Sequence, residues 1–74
     1  MTATITSMDY YLADVLNSDQ LEINDLIGLG SEVVKILLIQ PTKTGLLLTI
    51  ENEFGEKDEV EIKDEDKIEL YVIV

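Results

Sequence analysis

The chain has 74 residues and a net charge of -11, with 16 Asp and Glu against 5 Lys and no Arg, His, Cys or Trp. These absences exclude thiolate metal sites, cysteine nucleophiles and histidine acid–base catalysis. Phosphate binding needs clustered Lys or Arg, and an anionic bilayer repels a negative protein, so we expect neither direct nucleic-acid binding nor membrane binding. We expect one small domain, residues 1–74, with no enzymatic activity and no cofactor.

The first predicted element is a short N-terminal helix over residues 8–16. Its apolar residues recur at helical spacing: Met8, Leu12, Val15 and Leu16. Ser7 is the candidate N-cap, and residues 17–19 provide a stop signal. No cationic stretch followed by an apolar segment precedes this helix, and no apolar run reaches the roughly 20 residues of a membrane span, so we expect a cytoplasmic protein.

Five strands are predicted after this segment. The first lies near Leu26, and runs of β-branched and aliphatic residues predict four more at 32–40, 45–52, 56–63 and 68–74. The 32–40 strand is apolar on both faces, with Val34, Ile36 and Leu38 on one and Val33, Leu37 and Ile39 on the other. A sheet with one solvated face alternates more cleanly. We therefore expect a cover over the second face, with the helix as the internal candidate and a partner chain as the external one.

The hairpin between the 45–52 and 56–63 strands can be predicted in register. The segment Asn52-Glu53-Phe54-Gly55 has the residue order of a type I turn closed by a left-handed glycine, which is a three-residue G1-bulge turn. This turn predicts three cross-strand pairs, Glu51 with Lys57, Leu48 with Val60 and Leu46 with Ile62. One face of the hairpin is then apolar and the other acidic.

The order of these elements looks like a small SH3-like barrel. The segment Asn24-Asp25-Leu26-Ile27, followed by Glu-Val-Val-Lys-Ile and a glycine-turned acidic hairpin, resembles small acidic proteins encoded by bacteriophages and mobile elements. Those proteins usually have Gly where this chain has Asn24. The resemblance covers residues 19–74 and implies a mainly β (α+β) fold. In this fold a five-stranded antiparallel barrel over 19–74 follows an N-terminal segment, residues 1–18, that contains the helix.

No residue pattern in the chain is typical of a catalytic or metal site. No Ser is spaced to a Lys in a recognisable motif, and Thr42-Lys43-Thr44-Gly45 lacks the glycine frame of a phosphate loop. Carboxylate pairs are abundant, but so short a chain leaves little room for a cleft of about 300 Å³. The acids at 64–66 lack the glycine and late glutamate of a calcium loop. We interpret them as a solvated turn with Asp64 as its cap, and we predict no bound metal.

The acidic residues are concentrated in residues 51–69, which contain ten acids and three lysines. Solubility alone is one explanation; the sharper one is that carboxylates about 5 to 7 Å apart on neighbouring strands bind a basic surface. The predicted partner-binding residues are Glu51, Glu59, Glu61 and Glu69.

The predicted function is that of a non-catalytic acidic binding protein. In charge, size and lack of Arg, the chain is similar to phage inhibitors that mimic DNA and occupy a nucleic-acid-handling protein in the host cytoplasm. The alternative is a structural or assembly component of a virion or larger complex, in which apolar strand faces pair with neighbours or with another copy of the chain.

Overall fold

A computed structural model describes residues 10–73 as one open antiparallel sheet of six strands. The strands are β1 (Tyr10–Asn17), β2 (Leu26–Leu29), β3 (Glu32–Pro41), β4 (Gly45–Glu51), β5 (Lys57–Lys63) and β6 (Lys67–Ile73). Their order across the sheet is β1-β6-β2-β3-β4-β5, so β1 and β5 are its edges. A single 3-10 turn, Ser18–Gln20, follows β1. The mainly β fold and the five predicted strands are confirmed.

The predicted N-terminal helix is wrong over its described part, because residues 10–16 belong to β1. The pairing of β1 with β6 shifts register between Leu12 and Asp14, which leaves Ala13 as an extra, bulged residue. The bulge places Leu12 and Val15 on the same face of a strand although they are three positions apart, a spacing otherwise typical of a helix. Residues 8–9 and the predicted cap Ser7 lie outside the described residues.

The predicted closed barrel is also wrong. The last strand does return to the first of the five predicted strands, through the pairs Leu26–Tyr71 and Ile27–Leu70. Within residues 10–73, however, β1 pairs along the other side of β6 and no ladder joins it to β5. The additional strand, β1, therefore extends the described sheet, and β1 and β5 remain as two separate edges.

The core lies on one face of the sheet. Its buried hydrophobic residues are Leu21, Ile27, Val34, Ile36, Leu48, Ile50, Ile62 and Ile68. Ile27 is at the centre, because it is fully buried and pairs with Val34 on one neighbouring strand and with Leu70 on the other. The four-residue strand β2 thereby joins the β1–β6 ladder to the β3–β4–β5 ladders.

A second bulge, at Leu37, explains why the sequence of β3 reads as apolar on both faces. The register with β4 runs Ile36–Ile50, Leu38–Thr49 and Ile39–Leu48. The core face therefore continues from Ile36 to Ile39, and Leu38 turns to the opposite face, where it is exposed. The prediction that Leu38 shares a face with Val34 and Ile36 is wrong, and so is the prediction that Ile39 lies on the opposite face. The predicted helical cover is absent from the described residues, in which residues 10–16 extend the sheet instead.

Candidate functional site

The turn that positions the acidic hairpin is held by the side chain of Asn52. Its Oδ1 accepts hydrogen bonds from the backbone N–H groups of Phe54 at 2.9 Å and Glu56 at 3.0 Å, and its Nδ2 donates to Glu56 Oε1 at 2.8 Å. Gly55 has φ +81°, and its N–H donates to the Asn52 carbonyl at 3.1 Å. The predicted turn with a left-handed glycine is confirmed, as are all three predicted cross-strand pairs.

Glu59 and Glu61 lie together on the outer face of the edge strand β5. Glu59 is opposite Thr49 and Glu61 is opposite Leu47, whereas the intervening Val60 turns toward the core. Both carboxylate side chains are exposed. Residues two apart on a strand are separated by about 6.6 Å and point to the same side. Because β5 has no strand neighbour beyond it in the described sheet, a partner has access to this pair from the face and from the edge.

Two lysines share this face with the glutamates. Lys57 and Lys63 lie two residues before Glu59 and two residues after Glu61, so the outer face of β5 reads plus, minus, minus, plus. The outer face of β5 is therefore balanced in charge, and the prediction of an acidic outer face is wrong for this strand. The excess negative charge lies in the two turns that flank β5, at residues 53–56 and 64–66.

Glu51 is partly neutralised by lysines on both neighbouring strands. It is opposite Lys57 on β5 and Lys35 on β3, and its carboxylate lies 3.6 Å from Lys57 Nζ. An ion pair of this exposure contributes about 0 to 1 kcal/mol to stability. Its consequence for binding is larger, because a basic partner must displace or share Lys57 to reach this carboxylate.

Glu69 is not brought together with the other three predicted site residues. It lies on β6, opposite Val15, and both β2 and β3 separate β6 from β4. The Tyr71 hydroxyl donates a hydrogen bond to Glu69 Oε1 at 2.9 Å. This hydrogen bond, then desolvation and then the charge of Glu69 raise the pKa of Tyr71 above its usual value. The two side chains cover Gly28, where an added Cβ would lie 2.8 Å from the tyrosine ring.

The acidic turn at residues 64–66 is held by Asp66. Its Oδ2 accepts a hydrogen bond from the Lys63 N–H at 3.0 Å, and its own N–H donates to the Lys63 carbonyl at 3.0 Å. The prediction that Asp64 caps this turn is therefore wrong; its N–H donates to the Thr44 carbonyl at 2.8 Å. Within residues 10–73 no group of three or more acidic side chains is arranged to hold a metal ion.

The surface carries grooves larger than the chain length led us to expect. One, of about 400 Å³, has an apolar floor that includes Leu26, Val33 and Ile73 and a rim that includes Lys35 and Glu51. Another, of about 550 Å³, is lined by residues of β2, β3, β4 and β5 and of the β4–β5 turn, among them Leu29, Glu32, Val34, Ile50, Glu56 and Asp58. The first groove lies on the outer face of the sheet, and the second lies on the core face, beside Val34 and Ile50. The expectation that so short a chain leaves little room for a cleft is wrong.

Sequence reasoning missed the exposed apolar side chains of the β1–β6 ladder, which lie on both of its faces. Its exposed large side chains are Tyr11, Leu12, Val15, Val72 and Ile73. The signal in the sequence was the strand propensity of the consecutive tyrosines and of Val15. The helical spacing of the apolar residues outweighed this signal in the prediction. No described helix is long and apolar enough to cross a membrane.

Comparison with known proteins identified no relative: no family model, no curated protein and no solved structure matches the chain. Fold and site geometry therefore carry the functional argument.

Proposed function

We propose that the chain is a non-catalytic binding protein whose acidic hairpin engages a basic surface on a protein partner. The observation that supports this proposal is the exposed pair Glu59 and Glu61 on β5, which is an edge of the sheet formed by residues 10–73. The pair lies between two turns that carry the excess negative charge. Asn52 holds the first of these turns and Asp66 the second, so the carboxylates need little ordering when they bind. The absence of His, Cys and Arg from the chain disfavours catalysis.

Within this proposal, the chain acts like phage inhibitors that mimic DNA in the host cytoplasm. The strand order β6-β2-β3-β4-β5, with the last strand beside the first, supports an SH3-like arrangement in an open sheet. The binding face consists of Glu59 and Glu61, joined by Glu51 once Lys57 is displaced. Glu69 belongs to a second contact, because it lies beyond β2 and β3.

The test is a double charge reversal with a matched control. A partner is captured on the immobilised chain, eluted with rising salt and identified, and its affinity is measured by calorimetry at two ionic strengths. We expect Glu59→Lys with Glu61→Lys to weaken binding by several kcal/mol, since both side chains point away from the core. We expect Asp19→Lys with Glu22→Lys, exposed acids outside β5, to have little effect.

Binding that is insensitive to salt and survives the Glu59 and Glu61 reversal would refute the proposal that the acidic hairpin binds a basic surface. Circular dichroism of both double variants checks that the fold is retained. Both variants change the net charge by the same amount, so a general loss of attraction would affect them equally.

The second candidate is a structural or assembly component, located in a virion or larger complex. Five of the eight exposed large hydrophobic side chains of the described residues lie on the β1–β6 ladder, with Leu12, Val15 and Ile73 on the outer face and Tyr11 and Val72 on the core-face side. Exposed apolar side chains concentrated on one ladder favour a protein contact there. Under this candidate the apolar ladder mediates assembly, and the acidic hairpin keeps the assembled complex soluble.

A further inference from the structure

We propose that β1 pairs with β1 of a second copy of the chain, antiparallel across a two-fold axis, so that two six-stranded sheets become one continuous sheet. This inference goes beyond the binding function proposed above, because it concerns contacts of the chain with itself. It rests on three properties of β1: exposed apolar side chains, few charges and a bulge that permits one register in which all eight residues pair.

The first property is an exposed apolar strand at an edge. β1 is eight residues long and pairs only with β6 among the described strands. Tyr11 is 52% exposed, Leu12 54% and Val15 49%, and the adjacent Val72 and Ile73 of β6 are exposed to a similar degree. Long apolar edges are uncommon in monomers, because their unpaired backbone groups template pairing with another chain.

The second property is the low charge of β1, which identifies the partner. Asp14 is the only acid or lysine in β1, whereas the opposite edge, β5, contains five acidic or basic residues within seven. Two molecules of charge -11 repel each other wherever their acids meet. A second copy can therefore approach β1 but not β5. A basic partner, in contrast, finds little charge to bind at β1.

The third property is the bulge at Ala13, which selects the register. Leu12 and Val15 lie on the outer face, opposite Tyr71 and Glu69, whereas Leu16 lies on the core face, opposite Ile68. Pairing partners in a continuous sheet must share a face. A two-fold axis between Ala13 and Asp14 satisfies this condition: it pairs Leu12 with Val15 of the second copy, and Tyr11 with Leu16.

In this register the two copies of Asp14 do not lie directly opposite each other. Asp14 lies opposite Ala13 of the second copy, so the two carboxylates are diagonal neighbours rather than direct ones. The Asp14 Oδ1 accepts a hydrogen bond from the Val15 N–H at 2.7 Å, which further disperses its charge. Shifting one strand by a single residue would place Leu12 opposite Asp14 and would match outer residues with core-face residues. All eight residues of β1 pair with matching faces only when the axis lies between Ala13 and Asp14.

Disulfide trapping tests this register, because the chain has no cysteine of its own. Leu12→Cys and Val15→Cys are prepared as separate variants, mixed and oxidised with a glutathione buffer. Directly opposed residues have Cα atoms about 4.5 to 5.5 Å apart, within disulfide range, whereas the two copies of residue 12 would be about 11 Å apart. We expect the mixture to form a linked heterodimer about tenfold faster than either variant alone.

Leu38→Cys is the matched control, since Leu38 is 45% exposed on the same outer face but lies on β3. Equal rates for the mixture and for Leu38→Cys would overturn the proposal. Faster linking of Leu12→Cys with itself than with Val15→Cys would overturn the register on which it rests.

Sedimentation equilibrium of the unmodified chain tests association directly. We expect the mass to rise from 8.3 kDa toward twice that value between about 10 µM and 1 mM protein, and to rise further with salt, which screens repulsion between the copies. Val15→Lys should abolish the rise and Leu38→Lys should not, although both reduce the net negative charge equally. A monomer at every concentration and salt level would overturn the proposal. The salt response is opposite to that of basic-partner binding, so the two proposals fail independently.

Discussion

Gly45 is the position at which a single methyl group should most disturb the sheet. It begins β4 opposite Lys63 of β5, and an added Cβ would lie 1.8 Å from the Ile62 carbonyl oxygen and 2.7 Å from the Lys63 Cα. Both contacts are with backbone, so no side chain can rotate away. Gly45→Ala must therefore displace the start of the β4–β5 ladder, next to the buried Ile62. We expect a loss of about 2 kcal/mol of stability, within the range for overpacked sites.

Thermal unfolding followed by circular dichroism measures this loss. In a domain of this size 1 kcal/mol corresponds to a shift of about 4 to 8 °C, so Tm should fall by about 8 to 16 °C. Gly30→Ala is the control: Gly30 has φ +59° but open space around an added Cβ, so its cost comes from backbone strain alone and is about 1 kcal/mol. A Gly45→Ala protein as stable as Gly30→Ala, or more stable, would refute the steric argument.

Three further measurements test other parts of the structure. Gly55→Val should lower stability by about 1 to 2 kcal/mol, because φ is +81°, while Gly55→Asn should cost less; equal melting temperatures for the two variants would contradict this. Phenolate absorbance should report a Tyr71 pKa above the ordinary tyrosine value, and Glu69→Gln should lower this pKa toward that value. Tyr71→Phe identifies which part of the signal belongs to Tyr71. Folding stability should decline as pH rises through the raised pKa of Tyr71. Tm should rise with salt at neutral pH because the net charge is -11, and a Tm independent of salt would exclude significant repulsion.

The acidic hairpin was predictable because its determinants are local. Asn52 and Gly55 are three residues apart and fix the turn through hydrogen bonds and one positive φ. This turn also fixes the register of β4 with β5, and that register places Glu59 and Glu61 on the outer face. For these two residues of the candidate site, sequence alone was sufficient.

The position of Glu69 was not predictable from local pattern. It depends on which strand β6 joins, and β6 lies beside β2 and β1, more than forty residues earlier in the chain. The lysine next to Glu51 was predicted from the hairpin register, but the second one, Lys35, depends on the pairing of β3 with β4. Strand neighbours thus decide which carboxylates form one surface.

Composition and turn chemistry determined that the chain is mainly β, strongly acidic and built around a G1-type hairpin, because each of these depends on residues close together in sequence. Tertiary structure decided that residues 10–17 form a strand rather than a helix, and that the described sheet is open rather than closed into a barrel. The bulges at Ala13 and Leu37 shift the alternation of apolar residues, so a strand acquired helical spacing and β3 appeared apolar on both faces. A bulge exists only relative to a partner strand, and that partner is chosen by long-range packing around Ile27.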